Sequence, residues 1–96
     1  MEQQVTVRQR RIPPPELGPM LAAARMRAGF RGAEGARLLG ISHSYLVNIE
    51  AGRRCPSVTV ALLLVDVFGL TEAERVEVMA AAVPDAGRDH PLRRSA

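Results

Sequence analysis

The residues of this chain best suited to hydrogen-bond chemistry lie in one short stretch, SHSYLVNIE, at positions 42–50. Ser42 precedes two apolar residues at helical spacing, Leu46 and Ile49, which predicts a short capped helix with one buried face. The opposite face of that helix carries small or polar side chains. They are His43, Ser44, Val47 and Asn48.

Each of these side chains matches a group in the major groove of duplex DNA. An asparagine amide can bond bidentately to N6 and N7 of adenine, and the methyl groups of Val47 can contact the methyl group of thymine. His43 can bond to guanine or to a phosphate. The stretch therefore predicts a helix that reads bases.

The chain has few residues suited to disulfide formation, metal binding or catalysis. The chain has one cysteine, Cys55, and two distant histidines, His43 and His90, so neither an internal disulfide nor a zinc site is expected. No Ser–His–acid arrangement or carboxylate pair indicates catalysis, and the scattered glycines form no phosphate loop. We expect a protein that is not an enzyme and that uses no cofactor and no metal.

Basic residues are concentrated in the first sixty positions. All 13 are arginines, against 10 acidic residues, for a formal net charge of +3. Residues 16–57 carry six arginines and three glutamates, whereas residues 58–84 carry one arginine and four acidic residues. A polyanion would therefore bind the first part of the chain and avoid the second.

Five helices are predicted, and no segment has the pattern of a strand. Apolar periodicity, capping residues and glycine stops predict an all-α, compact five-helix bundle. The helices are expected at about 16–28, 32–39, 43–51, 58–68 and 72–83. Gly35 should weaken the second helix by about 1 kcal/mol relative to alanine. The expected buried stripes are Leu17, Leu21, Ala24 and Ala28 in the first helix, Ala33, Ala36 and Leu39 in the second, and Ala73, Val76, Ala80 and Val83 in the fifth.

The two ends of the 96-residue chain lack a helical period. Residues 1–15 are expected to form an extended or disordered basic arm, the alternatives being a strand added to a partner or an arm bound to DNA. Residues 84–96 are predicted to be a disordered tail, which leaves 16–83 as the folded domain. No apolar run approaches the ~20 residues that span a bilayer, and no signal-peptide pattern opens the chain. We expect a cytoplasmic protein that does not bind membranes.

Residues 21–57 resemble the helix-turn-helix of the XRE family, the group that includes phage repressors and Cro. Residues 58–83 resemble the fourth and fifth helices of that family. The most specific stretch is SHSYLVNIEAGRRCPS, in which six positions have the family spacing: Ser42, Leu46, Ile49, Glu50, Gly52 and Pro56. The resemblance implies a lambda-repressor-like DNA-binding domain with its helix-turn-helix at about 32–51.

The resemblance also implies roles for residues at matching positions. His43, Ser44, Val47 and Asn48 would face bases. Arg25 and Glu50 match a pair that forms an internal ion pair between helices one and three in some members; the alternative for Arg25 is a phosphate contact. Ser42 would cap the helix and contact a phosphate, and Arg53 and Arg54 would meet the DNA backbone or the minor groove. Apart from the resemblance, Arg31 or Arg37 is expected to restore a phosphate contact through its charge.

Two features depart from the family pattern. The Ser-Gln or Thr-Gln pair that usually opens helix two is replaced by Arg31 and Gly32, and the usual leucine three residues later is Gly35. One phosphate clamp is therefore missing. Helix four is apolar almost all round, and its period places Leu63 and Val67 in solvent. We expect these two residues to form a homodimer interface, the alternative being packing against a terminal segment.

The expected function is that of a bacterial transcription regulator, with repression as the default, which binds double-stranded DNA as a homodimer on a palindromic operator. One reader helix contacts too few bases to be specific, whereas two related by a two-fold axis read half-sites about 34 Å apart. The alternative is a protein-interaction module, such as an antitoxin-like partner, that uses the same fold to hold another protein.

Overall fold

Five helices make up the described part of the chain, residues 12–85 of a computed structural model. They are α1 (Leu17–Arg27), α2 (Gly32–Leu39), α3 (His43–Glu50), α4 (Val58–Val67) and α5 (Glu72–Ala81). The predicted all-α class is confirmed. The predicted arm up to residue 11 and the predicted tail from residue 86 lie outside the described residues. No helix within 12–85 is long and apolar enough to cross a membrane.

One apolar core joins the five helices. α3 packs on α1 and α2, α4 packs on α2, and α5 packs on α4 and α1. Phe68, which ends α4, is buried, and its ring centre lies 6.3 Å from that of Phe30. Leu21, Ile49 and Leu64 are also fully buried. Each such side chain contributes roughly 1.5–3 kcal/mol to the hydrophobic free energy of folding.

Two glycines allow helices to approach closely. A Cβ atom at Gly18 would lie 2.3 Å from the carbonyl oxygen of Glu50, so the backbones of α1 and α3 are in direct contact. A Cβ atom at Gly35 would lie 3.1 Å from Cδ of Arg25 and 3.2 Å from the ring of Phe68. Gly35 is therefore the point at which α2 packs against its neighbours, which explains a residue of low helix propensity in mid-helix.

The buried face of α5 is not the predicted one. Of the predicted stripe, Ala73, Val76 and Ala80 are exposed, and α5 buries Val78 and Ala81 instead. The reason is that Val78 and Ala81 pack in the core shared by the five helices, so their face of α5 turns inward. Glu74 of the same helix pairs with Arg27 of α1 at 2.8 Å on the surface. Ala28 of the first predicted stripe and Ala33 of the second were also predicted to be buried, and both are exposed.

The chain after α5 returns to the start of α4. The N–H of Val58 donates to the carbonyl of Val83 at 2.9 Å, and the N–H of Val83 donates to the carbonyl of Pro56 at 3.0 Å. Asp85 then accepts a hydrogen bond from the N–H of Thr59 at 3.0 Å. α5 therefore ends two residues earlier than predicted, and Asp85, which was assigned to the disordered tail, caps α4.

Candidate nucleic-acid interface

α3 has one apolar face in the core and one small, polar face outside it. The hydroxyl oxygen of Ser42 accepts a hydrogen bond from the N–H of Tyr45 at 3.0 Å and so caps the helix. Leu46 and Ile49 are buried. The four residues expected to read bases share the other face, where the first three are exposed and the last is half-buried: His43, Ser44, Val47 and Asn48.

The turn between α2 and α3 sets the direction of α3. Gly40 has a φ of +73°, a left-handed conformation that side chains disfavour. The N–H of Ile41 then donates to the carbonyl of Ala36 at 3.0 Å, which closes α2 and turns Ile41 toward the core. α3 begins only two residues after Ile41. The turn therefore sets the direction of α3, whose polar face lies outward.

The first residues of α2 and α3 lie against each other. A Cβ atom at Gly32 would be 2.9 Å from Nε2 of His43. The absence of a side chain at Gly32 therefore makes room for the His43 ring. Sequence reasoning interpreted Gly32 only as the loss of a glutamine contact and missed this role.

The end of α3 brings Arg53 against Asn48. Gly52, with a φ of +76°, donates its N–H to the carbonyl of Ile49 at 3.1 Å, and Arg53 donates its N–H to the carbonyl of Asn48 at 2.9 Å. This Schellman arrangement places the residue after the glycine beside the third-last residue of the helix. The side chains also join, because Nε of Arg53 donates to Oδ1 of Asn48 at 2.9 Å.

Arg54 is held by α3 as well. Its guanidinium carbon lies 4.6 Å from the centre of the Tyr45 ring, within the range of a cation–π interaction. The hydroxyl of Tyr45 accepts a hydrogen bond from the N–H of Ser57 at 3.2 Å. Tyr45 therefore joins the arginine loop and the start of α4 to α3. The spacing of Tyr45 in the sequence gives no signal of this role.

The other two arginines expected at the DNA backbone belong to α2. Arg31 precedes this helix in an extended conformation, and its side chain makes no capping hydrogen bond. Arg37 lies in the last turn of α2 and is exposed. Basic side chains thus lie just before α2, in its last turn, and in the loop after α3.

Arg25 and Glu50 form an ion pair between α1 and α3. Nε and Nη2 of Arg25 donate to the two carboxylate oxygens of Glu50 at 2.8 and 2.9 Å, and Nη1 donates to the carbonyl of Phe30 at 2.9 Å. The side chains are only 15% and 14% exposed. The hydrogen bonds to Glu50 raise the pKa of Arg25. All three nitrogens of this guanidinium are therefore engaged inside the domain rather than presented to a phosphate.

The most exposed apolar side chain of α4 is not one of the two predicted. Leu63 and Val67 were expected in solvent, but both are partly buried because they pack against the core. Leu62 is 56% exposed, and Val58, one helical turn earlier, is 37% exposed. Residues four apart share a helix face, so Val58 and Leu62 form the apolar outer strip of α4.

Two of the three acidic residues of α5 pair with arginines. Glu72 lies 2.7 Å from Arg75, and Glu74 lies 2.8 Å from Arg27. The hydrogen bond from Arg27, assisted by the N–H of Thr71, lowers the pKa of Glu74 to about 2. Within residues 12–85, no group of His, Cys, Asp and Glu side chains is arranged to hold a metal ion.

Known proteins share the fold of this chain. The family model of a helix-turn-helix domain matches residues 16–78. The restriction-modification controller protein C.AhdI from Aeromonas hydrophila is 26% identical, with a TM-score of 0.58 over 64% of this chain and 88% of that chain. The clp gene regulator ClgR from C. glutamicum is 25% identical, with a TM-score of 0.58 over 70% of this chain and 87% of that chain.

A longer relative matches the same region. TK0539 of Thermococcus kodakarensis, whose name proposes an HTH-type transcriptional regulatory protein, is 35% identical over 66 residues. The match covers 69% of this chain and 21% of that protein, so this chain spans about a fifth of the length of that relative. The resemblance to XRE-type proteins is confirmed, and the chain belongs to the helix-turn-helix domain family.

Proposed function

We propose that this chain binds duplex DNA sequence-specifically, as a homodimer on a palindromic operator, and represses transcription there. The observation that carries the proposal is the outward face of α3. Its opposite face is anchored in the core by Leu46 and Ile49, so its outward side chains are held on a rigid support. An eight-residue helix is about 12 Å long, and the major groove is about 12 Å wide. The residues we assign to base contacts are His43, Ser44, Val47 and Asn48.

Sequence-independent affinity would come from basic and polar side chains around α3. Arginines neutralise phosphates and release counterions, which makes binding dependent on salt. The two arginines of the loop after α3 are already held beside that helix. Arg53 donates a hydrogen bond to Asn48, and the guanidinium of Arg54 lies over the Tyr45 ring. The residues we assign to the DNA backbone are Arg31, Arg37, Ser42, Arg53 and Arg54.

Dimerisation follows from the small size of the reading surface. One eight-residue helix contacts few bases, whereas a two-fold pair reads twice as many at half-sites about 34 Å apart. We assign the interface to α4, where Leu62 is exposed and Leu63 and Val67 are partly exposed. A second copy placed there would remove this apolar surface from water.

The names of the similar proteins support control of gene expression. One is a restriction-modification controller and another is a clp gene regulator. A domain bound across an operator excludes other proteins from that DNA, and this is why we propose repression. The proposal includes no catalytic step.

The test is selection of genomic fragments by the purified protein at about 150 mM salt, where non-specific binding is weak. The expected result is a shared inverted repeat with half-sites about one helical turn apart. Enrichment without a common sequence, lost as salt is raised, would overturn the proposal. It would favour the protein-interaction alternative, with the exposed strip of α4 as the surface for the partner.

A further inference from the structure

The hydrogen bond between Asn48 and Arg53 limits what this asparagine can read. Nε of Arg53 can only donate a hydrogen bond, so the Asn48 atom 2.9 Å from it must be the amide oxygen, Oδ1. The bond is held by the backbone as well, because Gly52 turns the chain so that the N–H of Arg53 meets the carbonyl of Asn48. The amide therefore points its oxygen toward Arg53 and its NH₂ group away from it.

This orientation conflicts with the bidentate recognition of adenine. An asparagine that reads adenine accepts from the N6 amino group through Oδ1 and donates to N7 through Nδ2. Oδ1 of Asn48 keeps a second lone pair, but an adenine amino group that used it would place another positive hydrogen beside the Arg53 guanidinium, which disfavours adenine. Guanine presents two acceptors, N7 and O6, and no donor on this edge. The NH₂ group of Asn48 and the remaining N–H groups of Arg53 are all donors.

We propose that Asn48 and Arg53 act as one donor unit that selects guanine over adenine at the base pair facing Asn48. Arg53 is a positioning residue in this unit, since it acts on the base through the orientation of the Asn48 amide. The inference rests on the proposed DNA binding and deepens it. It also replaces the adenine contact that the isolated asparagine predicted.

The test compares the sites that four proteins select from a randomised duplex library: wild type, Asn48→Ala, Arg53→Ala and Arg54→Ala. Arg54→Ala is the matched control, because it removes a neighbouring charge that contacts Tyr45 and not Asn48. Affinities are then measured on probes that carry G or A at the position where Asn48→Ala loses selectivity. Thermal melting of each variant checks that it is folded.

The wild type is expected to prefer G at this position by about fivefold or more, the low end of the range for a well-made base contact. Arg53→Ala frees Oδ1 of Asn48, so its preference should move to A, whereas Arg54→Ala should bind more weakly but keep G. Three results would overturn the inference: preference for A in the wild type, unchanged preference in Arg53→Ala, or an unchanged site in Asn48→Ala. All three leave sequence-specific binding intact. Selection of no common sequence by the wild type would overturn the proposed function itself.

Discussion

Arg25 of α1 donates two hydrogen bonds to the carboxylate of Glu50, the last residue of α3. A third bond from Arg25 reaches the carbonyl of Phe30, in the connection between α1 and α2. One guanidinium therefore holds the end of α3 against two other elements. The loop that carries Arg53 begins directly after Glu50, so this pair also sets where the loop starts.

Glu50→Ala is expected to destabilise the fold by about 3 kcal/mol, because it leaves the largely buried charge of Arg25 without an opposite charge. Urea unfolding followed by circular dichroism measures the loss. The double variant Arg25→Met/Glu50→Leu removes both charges at similar volume and should recover most of it. Glu72→Ala, which breaks an exposed pair, should stay close to the wild type. A Glu50→Ala protein as stable as Glu72→Ala would contradict the structural role of the pair.

Gly18→Ala should destabilise the fold although it adds only one methyl group. The added methyl group would meet the carbonyl oxygen of Glu50 at 2.3 Å, and backbone cannot move aside without shifting α3. We expect a loss of about 2–3 kcal/mol in the free energy of unfolding. Gly32→Ala is the matched control, since its methyl group meets the mobile end of the His43 side chain. Equal stability of the two variants would show that α1 and α3 are not in close backbone contact.

The helices and their caps were predictable because those signals are local. Ser42, Ser57 and Thr71 each accept a hydrogen bond from the N–H three residues later, as capping residues do. The inward face of α5 was not predictable. It depends on which side chains meet the core formed by the other helices, and residue type alone does not separate Val76, which is 55% exposed, from Val78, which is buried.

The geometry of the candidate site was also predictable only in part. The outward face of α3 follows from its period, since Leu46 and Ile49 fix what must point inward. The contact between Asn48 and Arg53 follows from a rule that sequence reasoning did not apply, namely that a Schellman glycine at position 52 brings these two residues together. The contact between Arg54 and Tyr45 depends on side-chain directions that spacing does not specify.

Arg37→Ala should lower the salt dependence of DNA binding. If Arg37 neutralises one phosphate, its loss should reduce the slope of log K against log salt concentration by about 0.9 for B-form DNA. Fluorescence anisotropy at several salt concentrations gives the slope. Arg75→Ala provides the control, because Arg75 is paired with Glu72 on the acidic α5 and should leave the slope unchanged. Equal slopes for Arg37→Ala and the wild type would remove Arg37 from the backbone contacts.

Leu62→Glu should separate the homodimer. A charge in the apolar strip of α4 would have to lose water at the interface, and this cost opposes association. Sedimentation equilibrium is expected to give a dimer for the wild type and a monomer for the variant at the same concentration. Met26→Glu, on an apolar side chain of α1 that is 62% exposed, should remain a dimer. A dimeric Leu62→Glu protein would contradict the proposed interface. A monomeric wild type would contradict the proposed homodimer.

Glu74→Gln should change how stability depends on acidity. The pKa of Glu74 is about 2 in the folded chain against 4.5 for the unperturbed group, so the unfolded state binds more protons between these values. Stability from this carboxylate is therefore fully present above pH 4.5 and is lost as the pH falls toward 2. The glutamine side chain keeps an oxygen for the N–H of Thr71, so the substitution removes the charge while retaining that capping bond.

Thermal melting from pH 7 to pH 2 provides the measurement for Glu74. Above pH 4.5 the wild type should melt at a higher temperature than Glu74→Gln, and the difference should shrink to nothing near pH 2. Glu77→Gln removes an exposed charge from the same helix and should follow the wild-type curve. Parallel curves for the wild type and Glu74→Gln would mean that the Arg27–Glu74 pair does not stabilise the packing of α5 on α1. Convergence at low pH would show that the ionised carboxylate of Glu74 stabilises the fold.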